Sequence, residues 1–304
     1  MNGLLVIDPG FFTTVQDLGR SGLRAFGVPT GGAADRESYR LATALAGDAP
    51  GPAALEVTLR GGVFQATGDL GIALAGARTS AEIVGDGGRR PVASPGSGWL
   101  REGERLVLGL LEGSARAYLA TPGGFRTEIR LGGRSSEKPL RAGDFLPAGP
   151  SRLASLRVMD ATNIVGPIRI LPGSDWSRID PHALVGGSFR VGSQSNRMGL
   201  RLEGDVKVAP EPGRLSAAVT PGAIQATGEG LIVLGVACGT MGGYPHVAQV
   251  ISADLDRLGR LRPGDAIAFE SVVLAEARRL DRERRGALWV RDMRIAAAVR
   301  DGPG

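Results

Sequence analysis

Four short stretches carry side chains whose types and spacing could do chemistry. TTVQDLGRSG (13–22) sets Gln16, Asp17 and Arg20 around a glycine-flanked turn. An amide, a carboxylate and a guanidinium grouped in this way suit a polar ligand, because the guanidinium fork matches a carboxylate or phosphate. The same spacing also lets Asp17 cap the turn and pair with Arg20. FGVPTGGAADR (26–36) runs through Gly31 and Gly32 to Asp35 and Arg36. Adjacent glycines let backbone N–H groups approach an anion, while Asp35 is equally suited to capping a helix. SQSNRMG (193–199) offers Asn196 and Arg197, as ligand groups or as a polar turn. VACGTMGGYPHVAQVISADL (236–255) holds the single cysteine, Cys238, with Thr240, Gly242, Gly243, Tyr244 and His246. Cys238 has no base near it in sequence and reads as a small packed residue after an apolar strand. His246 and His182 read as hydrogen-bonded or surface histidines. Gly242 and Gly243 permit positive φ or close approach of a ligand, and Tyr244-Pro245 forces an extended exit.

The elements that must position these groups are mostly strands. LLVI (4–7), GIALAG (71–76), RLVLGLL (105–111), ARAYLAT (115–121), LIVLGVA (231–237), HVAQVISA (246–253) and AIAFESVVL (266–274) have strand length and turn-like flanks. Helical spacing is convincing in DRESYRLATALAG (35–47) and in the arginine-rich AEARRLDRERRGALWVRD (275–292), expected on the surface. Many strands with few helices predict a mainly β barrel or sandwich and disfavour a Rossmann sheet. The chain also repeats itself. Pro9-Gly10 matches Pro172-Gly173, DRESYRL matches NRMGLRL, YLATPGGF matches VACGTMGGY, and LRAGDF matches LRPGDA. Four matches in one order predict two related β-domains, 1–155 and 156–304, joined near 150–165. The falling offset places an insertion near 45–115 in the first.

Composition excludes several classes. The 304 residues are 42% hydrophobic and 22% charged, with no apolar run of membrane-spanning length. The N-terminus lacks a signal-peptide core, so a cytoplasmic protein is expected. One cysteine and two distant histidines do not suit a structural zinc site, and no metal site is expected. Net charge is +5, but the basic residues are nearly all arginine, spread from end to end among 31 acids, and only 5% of residues are aromatic. That is not the footprint of a nucleic-acid binder. GxxxxGK[ST], strand-anchored GxGxxG, HExxH and GxSxG are all missing.

TTVQDLGRSG, FGVPTGGAADRESYRLA, ALEVTLRGG, YLATPGGF, VGSQSNRMGLRLEG, PGAIQATGEG, MGGYPHVAQVISADL and LRPGD, in this order, resemble the allophanate hydrolase subunit 2 family. That family includes the C-type component of 5-oxoprolinase, the antagonist of the sporulation-kinase inhibitor, and part of the urea carboxylase carboxyltransferase domain. The resemblance runs from about residue 4 to 270. It implies two tandem cyclophilin-like β-barrel domains and a B-type partner subunit, with a third, lactam-handling subunit. The activity it implies is ATP-dependent opening of 5-oxo-L-proline to L-glutamate, with ATP shared with the partner, Mg²⁺ accompanying it, and no cofactor held by this chain alone. An unstrained amide resists water, and phosphorylating its oxygen makes a better electrophile whose charge needs cations and N–H donors. Arg20, Arg36 and Arg197 with the glycines at 31–32 and 242–243 are of that type. The resemblance implies catalytic roles for Asp35, Arg36, Arg197 and Thr240, and ligand contacts for Gln16, Asp17, Arg20, Gly31, Gly32, Asn196, Gly242, Gly243 and Tyr244. Where relatives carry Asp and Gln, this chain has Ala237 and Gly239, and the stretch after YLATPGG is shortened. The pocket of the second domain is therefore expected to be the less polar one. Loss of those groups also leaves open a non-catalytic, regulatory partner of a B-type, kinase-inhibitor-like protein, or a urea- or allophanate-related component.

Overall fold

A computed structural model describes residues 1–158, 166–204, 206, 208 and 213–301. The expected junction at 150–165 therefore lies partly, at 159–165, outside the described residues. The chain is mainly β and divides into two compact units: Met1–Gly19, Asp35–Thr162 and Leu288–Gly304 in one, Arg20–Ala34 and Asn163–Ala287 in the other. Each is built on its own sheet and hydrophobic core.

The first unit holds β1 (Gly3–Asp8), β2 (Phe12–Gln16), β3 (Ala54–Thr58), β4 (Val63–Ala66), β5 (Leu70–Gly85), β6 (Gly88–Pro91), β7 (Gly96–Leu100), β8 (Arg105–Ala120) and β9 (Phe145–Pro147). Its sheet runs β2-β3-β8-β4-β1-β9, and β5 pairs with β6, β7 and β8. The runs 105–111 and 115–121, read from sequence as two strands, are one. Gly113 takes a positive φ of 74°, and β5 answers with two register shifts along β8, so the ladder absorbs the EGS interruption as irregularity. Opposite edges are linked by the stretch that follows. Ser136 and Leu140 N–H groups donate to Val15 and Thr13 of β2, Gly143 N–H donates to Val6, and β9 then pairs with β1.

Strand alternation gives this sheet two distinct faces. Val15, Leu55, Val57, Leu74 and Leu119 point into the apolar core. Thr14, Glu56 and Tyr118, in register across β2, β3 and β8, point the other way. That second face is covered by α1 (Arg36–Leu45), whose Ser38 comes so close that a Cβ on Gly76 would sit 3.3 Å from it. Asp35 is the N-cap of α1, as one of its two sequence readings required: Oδ1 accepts from Ser38 N–H at 3.1 Å and Oδ2 from the Ser38 hydroxyl at 2.5 Å.

The second unit holds β10 (Ile168–Pro172), β11 (Phe189–Val191), β12 (Gly199–Glu203), β13 (Ala217–Ala218), β14 (Ala223–Thr227), β15 (Gly230–Leu234), β16 (Met241–Gly242), β17 (His246–Val250), β18 (Ala266–Ile267) and β19 (Phe269–Ser271). Its eight-stranded sheet runs β18-β11-β12-β15-β14-β17-β10-β19, with β13 and β16 as a separate ribbon. One residue separates β18 from β19, yet they pair with opposite edges, β11 and β10. The sheet is thus closed by a single segment, and closure breaks the run AIAFESVVL in two. LIVLGVA also stops short, at Leu234. Gly235 and Ala237 N–H groups donate to Met198 and Arg197 carbonyls, and Cys238 N–H to Gly235, which turns the chain out of the sheet before Cys238. The short helices are α2 (Pro181–Val185) and α3 (Leu255–Leu258).

The paired blocks DRESYRL and NRMGLRL differ in conformation, the first being α1 and the second a turn leading into β12. Spacing of Arg and Leu alone fits both periods, so the shared letters do not fix a shared conformation. The last helix, α4 (Leu274–Asp301), extends beyond the expected 275–292 through an alanine-rich tail. Its exposed turns carry pairs from Arg279 to Glu276 and Glu283 and from Arg285 to Asp281. Near its end Asp292 accepts from Arg40 of α1 at 2.7 Å, and Arg291 donates to buried Glu37 at 3.2 Å. No helix among the described residues is long and apolar enough to cross a membrane.

Asp254 is a buried charge of the second barrel. Arg169 donates to it through N, Nε and Nη2, at 2.8, 2.9 and 2.5 Å, and Arg257 adds a 3.2 Å bond. Burial alone would push its carboxyl up, but these donors together hold it below the usual carboxylate range. A depressed folded value means stability present above the unfolded pKa and lost as pH falls through the folded one. Urea midpoints taken stepwise below about pH 4 are expected to fall less steeply in Asp254→Asn than in the parent. Equal slopes would show that Asp254 does not govern acid unfolding.

Candidate functional site

Two polar constellations emerge, one in each unit. In the first, β2, β3 and β8 line up a buried layer beneath α1. The Tyr118 hydroxyl donates to Glu56 Oε2 at 2.6 Å and accepts from Asp35 N–H at 2.9 Å, while Arg116 Nε donates to Glu56 Oε1 at 3.2 Å. Side chains of Glu56 and Arg116 are 0% and 7% exposed. Burial is the main cause that keeps the Tyr118 phenol well above its ordinary pKa, with the Glu56 charge adding to it, so at neutral pH it is a hydrogen-bond donor.

Gln16 lies on the same face, fully buried. Its Nε2 donates to Thr14 Oγ1 at 3.0 Å and to the Ser136 carbonyl at 2.8 Å, and its Oε1 has no hydrogen-bond partner among the described residues. A buried acceptor without a protein donor is costly and rare. Asp17 caps its own turn through Gly19 N–H at 2.7 Å and draws in the next loop, with Arg134 N–H at 2.5 Å and the Ser135 hydroxyl. Arg36 is exposed, and its guanidinium reaches the Leu18 carbonyl at 3.5 Å.

In the second unit, Gly31 and Gly32 come against the turn at 235–239. Both have positive φ, 60° and 83°, a conformation that glycine adopts without penalty. Gly31 N–H donates to Val236 O at 3.0 Å, and buried Arg197 donates through Nη2 to Gly32 O at 2.7 Å. The Arg197 carbonyl accepts from Ala237 N–H at 3.1 Å. Arg20 N–H donates to Thr30 O at 2.7 Å, which closes the same loop. Arg24, which no sequence motif singled out, adds a guanidinium beside Cys238. Its Nη2 donates to the Val219 carbonyl and to Gly239 O at 3.2 Å, while its Nη1 is buried without a hydrogen-bond partner among the described residues. Cys238 is 2% exposed, and burial pushes its thiol up against the pull of Arg24. It is a packed thiol.

The structure thus gathers Gly31, Gly32, Arg197, Val236 and Ala237, with Arg20 at the start of the loop. Asn196 is placed otherwise. It is exposed, and its Oδ1 accepts from Met198 N–H at 2.8 Å, a self-capping turn. Gly242 and Gly243 do not take positive φ. Gly242 pairs with Ala217 in the ribbon, and a Cβ there would meet Gln225 Nε2 at 2.6 Å, so close packing explains the glycine. Thr240 gives its carbonyl to Val219 N–H, and Tyr244 is 53% exposed, its carbonyl accepting from Gln225 at 3.2 Å. Glu56, Arg116 and Tyr118 escaped the sequence reading although ALEV and YLA lie within its motif blocks. The available signal was a glutamate inside an otherwise apolar strand, which demands a buried partner.

Two β-barrel units and these paired loops define a known class: the chain belongs to the carboxyltransferase domain, subdomain A and B, family, whose model matches residues 26–271. The chain is 34% identical to the C subunit of 5-oxoprolinase from Escherichia coli, over 90% of this chain and 93% of the relative. Among solved structures, the urea amidolyase of K. lactis superposes with a TM-score of 0.82 at 25% identity, over 94% of this chain. TTHA0988 gives 0.77 at 32% identity, over 89%. The chain spans 20% and 56% of those two longer proteins.

Proposed function

We propose that this chain is the C-type subunit of an ATP-dependent 5-oxoprolinase, opening 5-oxo-L-proline to L-glutamate in a complex with a B-type partner subunit and a third, lactam-handling subunit. The observation that carries this reading is the match to the E. coli relative, which runs along nearly the whole of both chains. ATP and Mg²⁺ belong to the system in this reading. The groups of this chain singled out for phosphate do not form a cradle for it by themselves. Gly31 N–H is spent on Val236, Gly242 lies in a strand pair, and Arg197 holds Gly32. The carboxylates of Asp17 and Asp35 cap local turns. This chain contributes instead a fixed scaffold: the Glu56–Tyr118–Asp35 layer with Arg36 in the first unit, and the Arg197-tied loop with Arg20 in the second.

The experiment is reconstitution. The purified chain is expected to show no 5-oxoproline-dependent ATP hydrolysis, and the complex with its partners is expected to show it. Robust hydrolysis by the chain alone would overturn the shared-site reading. A stable complex without turnover would instead favour a regulatory partner, a reading supported by Ala237 and Gly239 at positions where the family resemblance implies Asp and Gln.

A further inference from the structure

The β5–β6–β7 region of the first unit contains a cleft of about 410 Å³ that takes no part in the polar layer beneath α1. One wall is the stretch 154–158, strapped along β7 by backbone and hydroxyl bonds. Ser97 N–H donates to Leu156 O at 3.0 Å, the Ser97 hydroxyl to Ala154 O at 2.8 Å, and Val158 N–H to Pro95 O at 3.2 Å. Gly96 stands opposite Arg157 in a β-bridge. A Cβ on the neighbouring Gly98 would find only Ser155 Oγ at 3.9 Å and Val92 at 4.0 Å. The absence of a side chain at Gly98 opens the space. Ile83, Val92, Ala93 and Leu156 supply its apolar lining.

The charges around the cleft are unequally satisfied. Arg90 is clamped by Glu104 through two bonds, 2.5 and 2.6 Å, and also donates to the Trp99 carbonyl at 2.9 Å. Arg152, over the Trp99 ring at 4.6 Å, is paired to Asp69. Arg157 lines the cleft, and among the described residues it has no ion pair or side-chain hydrogen bond. No acidic side chain lines the cleft among the described residues. A cavity of this size with an apolar wall and one guanidinium that has no counter-charge among the described residues matches a small ligand bearing a single anionic group.

We propose that this cleft binds a small organic monocarboxylate with an apolar body, its carboxylate on Arg157 and its body against Val92 and Leu156. The site is separate from the 5-oxoproline reading, and binding is read on the chain alone, so failure of either leaves the other intact. The probe is 4-phenylbutyrate, with 4-phenylbutyramide as its uncharged twin, titrated by ligand-observed NMR. The acid is expected to bind saturably and the amide about ten- to a hundredfold more weakly, the size expected for losing a charge-assisted bond. Arg157→Gln is expected to weaken the acid by a similar factor with an unchanged thermal midpoint, since its guanidinium holds no protein partner among the described residues. Gly98→Leu, which fills the cleft, is expected to abolish binding of both. No saturable binding of the acid, equal binding of acid and amide, or a Gly98→Leu variant that binds as the parent does would each overturn the proposal.

Discussion

Glu56→Ala is expected to lower the unfolding free energy by about 3–5 kcal/mol, the range for breaking a buried ion pair by removing one partner. Glu56 is fully buried in β3, and its two oxygens serve Arg116 and Tyr118. Removing the carboxylate takes the counter-charge from beside a buried guanidinium and the acceptor from a buried phenol. Neither group can turn to water, because the sheet lies on one side and α1 on the other. Glu56→Gln keeps both heavy-atom positions and should cost less, since the amide oxygen still accepts one bond. Urea unfolding of both variants tests this, with a far-UV spectrum to confirm that each folds. A loss under about 1 kcal/mol for the alanine variant, the ordinary size for a point change, would mean that the layer relaxes more freely than its geometry implies.

Arg197→Ala is expected to cut 5-oxoproline-dependent ATP hydrolysis of the reconstituted complex by about ten- to a hundredfold, while Cys238→Ala leaves it within about twofold. The guanidinium of Arg197 ties the Gly32 loop to the turn at 235–237, so its loss releases a segment that must be held in place for any shared site. Arg20→Ala should act in the same direction, through the cation at the start of that loop. Cys238 is buried with its thiol pushed up, and alanine removes little more than one sulfur. The measurement is coupled ATP turnover in the complex, beside a pull-down that reports assembly. Abolition by Cys238→Ala with both arginine variants unaffected would reverse the assignment of this loop.

Much of the architecture was legible in the residues alone. The strand-length runs, the caps at 35–47 and the ordered motif blocks pointed to a mainly β tandem of barrels, because apolar periodicity and turn residues are local properties. Asp35 as a cap was legible for the same reason, since its Ser38 partner lies three residues away. Register was not legible. Whether 105–120 is one strand or two depends on what β5 tolerates opposite Gly113, and the split at Ala268 depends on the barrel needing both of its edges closed.

The sequence by itself determined which residues could matter: glycines free to bend backward, scattered arginines, one thiol, and the QD, GGAAD, SNR and GGYP blocks. Only the tertiary structure decided what those residues touch. It turned Asn196 and Asp17 inward on their own turns, made Gly242 a packing glycine, and joined Gly31–Gly32 to a loop some two hundred residues away through Val236 and Arg197. It also revealed Glu56, Tyr118 and Arg116 as one buried network, and Arg24 as the neighbour of Cys238. The physical reason is the same in each case. A hydrogen bond or an ion pair is a property of two groups and their burial, and when those groups are distant in the chain, neither burial nor partner is written in the local sequence.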